Sequence, residues 1–130
     1  MNTRHGFIVA LLVVTSAAAK DARYLALGDS FTIGTGSSPE AAFPARLTAL
    51  AIKRGAKVQL MNVALNGYST QELIDEELPA VKPFAPTHVT IAIGANDIVR
   101  GRGPTDYRKN LKRIFAALKR DGVDQLRHRI

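Results

Sequence analysis

The sequence of 130 residues predicts an α/β fold in which helices cover both faces of a parallel β-sheet. Three short apolar runs alternate along the chain with helical segments, and each run ends at a cluster of glycine and polar residues. The runs are almost continuously apolar, which is typical of strands buried on both faces. Strand, loop and helix in this repeated order imply right-handed crossovers between parallel strands. The length allows one domain.

The first unit begins with a strand predicted over residues 23–27, which ends at Gly28. A loop rich in glycine, serine and threonine follows over residues 32–38, and Pro44 then suits the first turn of a helix. One face of this helix is apolar and consists of Leu47, Leu50 and Ala51.

The second unit begins with a strand predicted over residues 58–64, followed by a turn at 66–67. Ser69 and Glu72 have the spacing of a capping box, so we expect a helix to begin at Ser69. The same helix is expected to stop near Pro79.

The third unit begins with a strand predicted over residues 88–93, which Gly94 closes. Pro104 then begins the most regular helix of the sequence. Its apolar side chains recur at helical spacing and form one stripe, which consists of Tyr107, Leu111, Ile114, Phe115 and Leu118.

The N-terminal residues have the pattern of a secretory signal peptide. One arginine and no acidic residue precede an apolar run over residues 6–14, and the alanines at 17–19 form an A-x-A cleavage pattern. We therefore expect residues 1–19 to be removed, and residues 20–130 to form a periplasmic or extracellular domain. The alternatives are a buried N-terminal strand and a membrane anchor, although the apolar run is too short to span a bilayer. The chain has no cysteine, so no disulfide is expected.

The formal net charge of +7 is concentrated towards the C-terminus. Residues 20–99 carry seven basic and eight acidic side chains, whereas residues 100–130 carry ten basic and three acidic ones. Such a basic segment can contact an anionic membrane surface or nucleic acid, and it also fits the solvated face of one helix. No aromatic residues are interleaved for base stacking, so nucleic acid is not an expected partner.

The polar clusters that end the three strands are the candidate functional site. Ligands of an open parallel sheet bind at the carboxyl ends of its strands, so the topology brings Ser30, Gly67 and Asn96 to one edge. These residue types suit acyl transfer. A serine on a tight turn exposes a nucleophilic hydroxyl, and the Ser30 N–H, the Gly67 N–H and the Asn96 amide can donate to a developing oxyanion. Glycine at position 67 also permits close approach of a substrate.

Three motifs, in this order, resemble the conserved blocks of the GDSL/SGNH serine hydrolases. They are Gly28-Asp29-Ser30, Asn62-x-x-x-Asn66-Gly67 and Gly94-x-Asn96-Asp97. The resemblance covers residues 23–120 and implies a three-layer α/β/α sandwich with a flavodoxin-like sheet. It implies an esterase, lipase, lysophospholipase, thioesterase or carbohydrate deacetylase that acts through an acyl-enzyme on Ser30, with Gly67 and Asn96 in the oxyanion hole. The substrate is then a small-molecule or lipid ester.

Each motif also has a structural interpretation. Residues 28–30 and 66–67 could be ordinary turns, and Asn96 could cap a helix. Three motifs in order, each at a strand end, favour the site over three unrelated turns. Asp97 is expected to be structural and to bind loop amides. No cofactor is expected, because the Gly34-x-Gly36 pair lacks the third glycine of a dinucleotide fingerprint and no metal-ligand spacing occurs.

The general base is not found in the sequence. The resemblance implies a late D-x-x-H motif, and this chain contains none. His5 lies in the predicted signal peptide, and His88 is expected at the opposite end of its strand from Ser30. His128 is the positional candidate that is left, with Asp124 four residues before it, a spacing that departs from the family's pattern.

The residues after the third helix do not have the pattern of a fourth strand. We hypothesise a truncated or frame-shifted product of a longer gene, whose domain is incomplete at the C-terminus. The expected function is hydrolysis of carboxylic esters through Ser30, in a copy that lacks the catalytic Asp and His. The alternatives are a non-catalytic ligand-binding module of this fold and a basic surface-binding protein.

Overall fold

A computed structural model describes residues 21–123 of the chain. Its strands are β1 (Asp21–Gly28), β2 (Lys57–Asn62) and β3 (His88–Ala92), and they form one sheet in the order β2-β1-β3. Both pairings are parallel, which confirms the predicted class of sheet. β2 ends at Asn62 instead of residue 64, because the Asn62 carboxamide accepts the Ala64 N–H and turns the chain (3.2 Å).

Helices follow each strand in the described part of the chain. The α-helices are α1 (Ser30–Ile33), α2 (Phe43–Lys53), α3 (Thr70–Glu72), α4 (Val81–Phe84), α5 (Ala95–Val99) and α6 (Pro104–Arg120). A 3₁₀ turn at Pro39–Ala41 precedes α2. Between α3 and α4 the chain passes through a π-helical turn (Leu73–Glu77) and a 3₁₀ turn (Leu78–Ala80).

The helical segment between β2 and β3 begins as predicted and ends later. The Ser69 N–H donates to Glu72 Oε2 (2.8 Å) and the Gln71 N–H donates to Ser69 Oγ (3.3 Å), which confirms the capping box. The prediction that the helix stops near Pro79 is wrong, because the segment continues to Phe84. Pro79 lies in the first turn of a new 3₁₀ segment. N–H groups in a first turn have no acceptor within the helix, so the lack of an N–H in proline costs no hydrogen bond there.

The main core lies on one face of the sheet. Leu25 and Leu27 of β1 are fully buried there and pack with the helical segment 70–84 and with α6. The buried side chains that these helices contribute are Leu73, Leu78, Val81, Phe84, Ile114, Ala117 and Leu118. Leu111 and Phe115 pack against them, so the predicted apolar stripe of α6 is confirmed.

The second face of the sheet is covered by α1 and α2. Leu60 and Asn62 of β2 line a cavity there together with residues of α1 and α2, and α2 packs against β2. Helices therefore lie on both faces, as the α/β/α prediction requires. The predicted apolar face of α2 is only partly covered, since Leu47 and Leu50 are 49% and 55% exposed. Within residues 21–123, no helix is both long and apolar enough to cross a membrane.

The core assignment predicts a difference between two leucine truncations. Leu25→Ala should lower the free energy of unfolding by about 2–5 kcal/mol, because a fully buried leucine leaves a cavity behind. The matched control is Leu50→Ala on α2, which should cost about 1 kcal/mol or less because that side chain is half exposed. Equilibrium urea unfolding measures both values, and equal losses would contradict the core described above.

Candidate active site

Ser30 lies on a tight turn at the carboxyl end of β1, the central strand. Gly28 is the last residue of the strand, and Asp29 caps α1 by accepting the Phe31 N–H on its side chain (3.0 Å). The helix begins at Ser30 itself. The loop predicted from Thr32 therefore starts two residues later, at Gly34, because the Asp29 cap starts a helix immediately after the strand.

Gly28 allows β1 and β3 to approach closely beside this turn. Its φ is +153°, and an added Cβ would lie 2.4 Å from the Ala92 carbonyl oxygen and 2.3 Å from Thr32 Oγ1. Both distances are far below van der Waals contact. A side chain at this position would force the Ser30 turn and β3 apart.

Gly67 and Asn96 are held together by hydrogen bonds between the loops that follow β2 and β3. Gly67 has φ +80°, a conformation that favours glycine, and its carbonyl accepts from Arg100 Nη2 (2.6 Å). Asn96 Nδ2 donates to the Tyr68 carbonyl (2.8 Å). The structure thus places Asn96 beside the loop that contains Gly67. The sheet order puts the end of β1, with Ser30, between the two loops.

Asp97 also connects the segment after β3 with the segment after β2, at a buried contact that we call the Asp97 junction. Its carboxylate is 1% exposed and accepts from the Thr70 N–H (2.9 Å) and from the Thr70 hydroxyl (2.5 Å). Arg102 Nε forms an ion pair with it at 2.8 Å. Asn110 of α6 donates to the same Thr70 hydroxyl (2.9 Å). The expectation that Asp97 is structural and binds a loop amide is confirmed.

Arg100 joins this junction to the capping box, although no sequence motif singles it out. Its Nη1 lies 2.6 Å from Glu72 Oε1. The hydrogen bond from the Ser69 hydroxyl lowers the pKa of Glu72 to about 2, and the Arg100 guanidinium adds to that shift. A hydrogen bond to Glu76 raises the pKa of Tyr68 to about 12. Around neutral pH Glu72 therefore stays ionised and Tyr68 stays protonated.

Three N–H groups at this edge have no hydrogen-bond acceptor among the described residues. Among the described residues, neither the Ser30 N–H nor the Gly67 N–H donates to an acceptor. The Asn96 amide uses one of its two N–H groups on Tyr68 and keeps the second. These are the donors that the sequence indicated for an oxyanion.

Glu77 also contacts the turn, although no sequence motif singles it out. Its side chain is 1% exposed, and Oε2 accepts the Gly28 N–H at 2.8 Å. Burial raises its pKa to about 8, and the negative charge of Asp29 adds to that shift. In the sequence Glu77 is one acidic residue in a run at 75–77, and only the π-helical turn directs it inward.

The histidines do not supply a base within residues 21–123. His88 begins β3, where it pairs with Tyr24 and its Nδ1 lies 2.9 Å from Thr87 Oγ1. It is therefore at the opposite end of the sheet from Ser30, as predicted. His5, His128 and Asp124 lie outside the described residues.

Comparison with known proteins identifies the family. Residues 26–126 match the GDSL-like lipase/acylhydrolase family, and this span includes all three motifs. The chain belongs to this family. The predicted resemblance is thereby confirmed.

Curated members of the family align over most of the chain. Thioesterase 1/protease 1/lysophospholipase L1 of Escherichia coli strain K12 is 32% identical over 121 residues, which are 92% of this chain and 56% of that protein. An arylesterase of Vibrio mimicus is 26% identical over 117 residues, or 90% of this chain and 58% of that protein. The chain thus spans little more than half the length of these relatives.

Solved structures of the family have the same fold. The crystal structure of TesA superposes with a TM-score of 0.72 at 25% identity, covering 77% of this chain and 56% of TesA. AlinE4, an SGNH-hydrolase family esterase, superposes with a TM-score of 0.70 at 26% identity, covering 81% of this chain and 57% of AlinE4. The predicted SGNH hydrolase fold is confirmed for the part of the family fold that the chain spans.

The Asp97 junction predicts a large effect for a small substitution. Asp97→Asn should lower the free energy of unfolding by about 2 kcal/mol, because it removes the buried carboxylate that pairs with the partly exposed Arg102 and turns an amide N–H towards Thr70. Asp106→Asn on the exposed first turn of α6 is the control and should cost about 0.5 kcal/mol. Thermal or urea unfolding at neutral pH measures both. A loss for Asp97→Asn no larger than the control would mean that the junction does not stabilise the fold.

Proposed function

We propose that the chain is a serine hydrolase acting on carboxylic esters through an acyl-enzyme on Ser30. The observation that carries this proposal is the parallel order β2-β1-β3, with the Ser30 turn between the Gly67 and Asn96 loops. Membership of the GDSL-like lipase/acylhydrolase family supports it. The relatives' names, thioesterase, lysophospholipase and arylesterase, point to oxygen esters and thioesters as the substrate class.

In the proposed reaction the Ser30 hydroxyl attacks the carbonyl carbon of the ester. The carbonyl oxygen becomes an oxyanion, which accepts from the Ser30 N–H, the Gly67 N–H and the Asn96 amide. The bond between Asn96 and the Tyr68 carbonyl holds the amide in one orientation before the substrate arrives. The alcohol or thiol leaves with a proton, and water then hydrolyses the acyl group from Ser30.

The proton of Ser30 requires an acceptor. His88 is too far along β3 to act, and His128 with Asp124 is the candidate that the sequence offers. The D-x-x-H motif of the family does not occur in the chain. The proposed oxyanion donors contribute to the rate independently of the base, since removal of a base leaves part of the catalysis intact.

The nucleophile assignment predicts site-specific labelling. A fluorophosphonate probe should label the purified chain at Ser30, and Ser30→Ala should abolish the label. Ser37→Ala is the matched control, because Ser37 lies on an exposed loop and its hydroxyl donates to the Gly34 carbonyl (2.8 Å). In-gel fluorescence and peptide mass spectrometry give the extent and position of labelling.

The same experiment separates the two main functions. A folded chain that is not labelled, and that still binds an ester ligand, would support a non-catalytic module and refute the nucleophile. Labelling that persists in Ser30→Ala would also refute it.

We also propose that residues 1–19 direct export and that the basic face of α6 contacts anionic membrane surfaces. The exposed basic side chains of α6 are Arg108, Lys109, Lys112, Arg113, Lys119 and Arg120. A cavity of about 670 Å³ lies beside them and is lined by Lys82, Arg113 and Arg120. Basic residues near an anionic leaflet contribute about 1 kcal/mol each, and salt screens the contribution.

Vesicle binding tests this surface. The combined change of Lys109, Lys112 and Lys119 to glutamine should weaken binding to phosphatidylglycerol vesicles by roughly two orders of magnitude at low salt. The control is the pair Lys53→Gln and Lys57→Gln, which removes exposed charge elsewhere and should have a smaller effect. Cosedimentation at low and at physiological salt gives the affinities. Binding that does not depend on salt or on the α6 lysines would contradict the proposal.

A further inference from the structure

Glu77 is a buried acidic residue beside the turn that carries Ser30. The proposed reaction gives it no role. It ends the π-helical turn Leu73–Glu77, a rare element that places this side chain against the end of β1. Only 1% of the residue is exposed. Its Oε1 atom is buried and has no hydrogen-bond partner among the described residues. A buried polar atom without a hydrogen-bond partner destabilises the fold, so the presence of glutamate at this position requires an explanation.

The contact that Glu77 makes is to the backbone that carries Ser30. The register pairs Ala26 with Asn62, which is the last residue of β2, so Gly28 lies beyond the paired part of that strand. On the other side Gly28 pairs with Ala92 of β3. The Gly28 N–H donates to Glu77 Oε2 at 2.8 Å. The carboxyl group thus takes up a backbone donor at a point where β2 no longer accompanies β1.

We propose that Glu77 is a positioning residue for Ser30, which in its protonated form anchors the Gly28 amide and with it the nucleophile turn. This inference rests on the proposed function, since it concerns the reactivity of Ser30. Glu77 does not touch the substrate, and it acts through Asp29, the one residue between Gly28 and the nucleophile. The Gly28 N–H bond on its own favours the charged carboxylate, but burial opposes the charge more strongly. Ionisation therefore loosens the anchor by drawing water to the buried charge or by withdrawing the side chain.

The charges around Glu77 also favour its protonated form. Asp29 acts on it from the turn between β1 and α1, and Glu76 acts on it from its own turn; both are acidic. No basic side chain of the described residues forms an ion pair with Glu77. Its pKa, raised by burial to about 8, keeps it neutral at pH 7. Between about pH 4.5 and about pH 8 Glu77 is protonated in the folded chain and ionised in the unfolded chain. The free energy of unfolding therefore falls as the pH rises through this range.

The first test follows the rate of fluorophosphonate labelling at Ser30 between pH 6 and pH 9.5. The ratio of the wild-type rate to the Glu77→Gln rate should be constant at low pH and fall with a midpoint near 8, reaching roughly a tenfold loss at pH 9. Glutamine keeps the shape and an acceptor oxygen for Gly28, and it cannot ionise. Asp75→Asn is the matched control, because it removes an exposed carboxylate from the same π-helical turn and should leave the profile unchanged.

The second test does not depend on Ser30 reactivity. The Gly28 amide resonance in a ¹H–¹⁵N spectrum should titrate with a midpoint near 8 in the wild type and in Ser30→Ala, and should not titrate in Glu77→Gln. Since Ser30→Ala cannot be acylated, the readout reports the contact alone. It also shows whether Glu77→Gln is folded.

The outcomes separate this inference from the function on which it rests. A labelled wild type whose pH profile equals that of Glu77→Gln would overturn the positioning role, as would a Gly28 amide that does not titrate near 8. If Ser30 is not labelled at any pH, the proposed function fails and the positioning role fails with it. A Gly28 titration in that case would still confirm the contact between Glu77 and the strand end.

Discussion

β1 is buried from Tyr24 to Gly28 and pairs in parallel with a strand on each side, and the rest of the structure depends on this arrangement. A strand enclosed in this way has no place for polar side chains along its buried length. Its polar residues come at its end, where Asp29 and Ser30 begin a helix. Because all three strands run in parallel, the loops after β2 and β3 reach the same edge. The candidate site is therefore a consequence of the sheet order, and each of its three loops is short.

The features that the sequence predicted correctly depend on local signals. Apolar runs located the three strands, helical spacing located α6, and the Ser69 capping box located the start of α3. The features that it missed depend on contacts between segments distant in the sequence. Pro79 was expected to end a helix, and the segment passes it by changing to a 3₁₀ turn. Arg100 reaches Glu72 and Gly67 only because α5 packs beside the loop after β2. No local pattern contains that information.

Two buried carboxylates near the site differ in what surrounds them. Asp97 accepts two hydrogen bonds from Thr70 and forms an ion pair with Arg102, so its burial is compensated on several sides. Glu77 accepts one backbone N–H and faces acidic neighbours. The first arrangement fixes a junction between two loops whatever the state of the site. The second makes the nucleophile turn sensitive to a proton, because the charged form of Glu77 has no compensating cation among the described residues.

The proposed chemistry of a serine hydrolase has two parts, stabilisation of the oxyanion and transfer of the serine proton. The loops that carry the proposed oxyanion donors are held by hydrogen bonds within the described chain, from the Asn96 amide to the Tyr68 carbonyl and from Arg100 to the Gly67 carbonyl. Donors that are fixed before the substrate arrives stabilise a transition state without further reorganisation. Proton transfer needs a base, and a base contributes its own factor to the rate. The two parts need no common segment of the fold, since parallel strands can bring residues from any unit to the same edge. The proposed oxyanion donors all lie within residues 26–126, the span that matches the family.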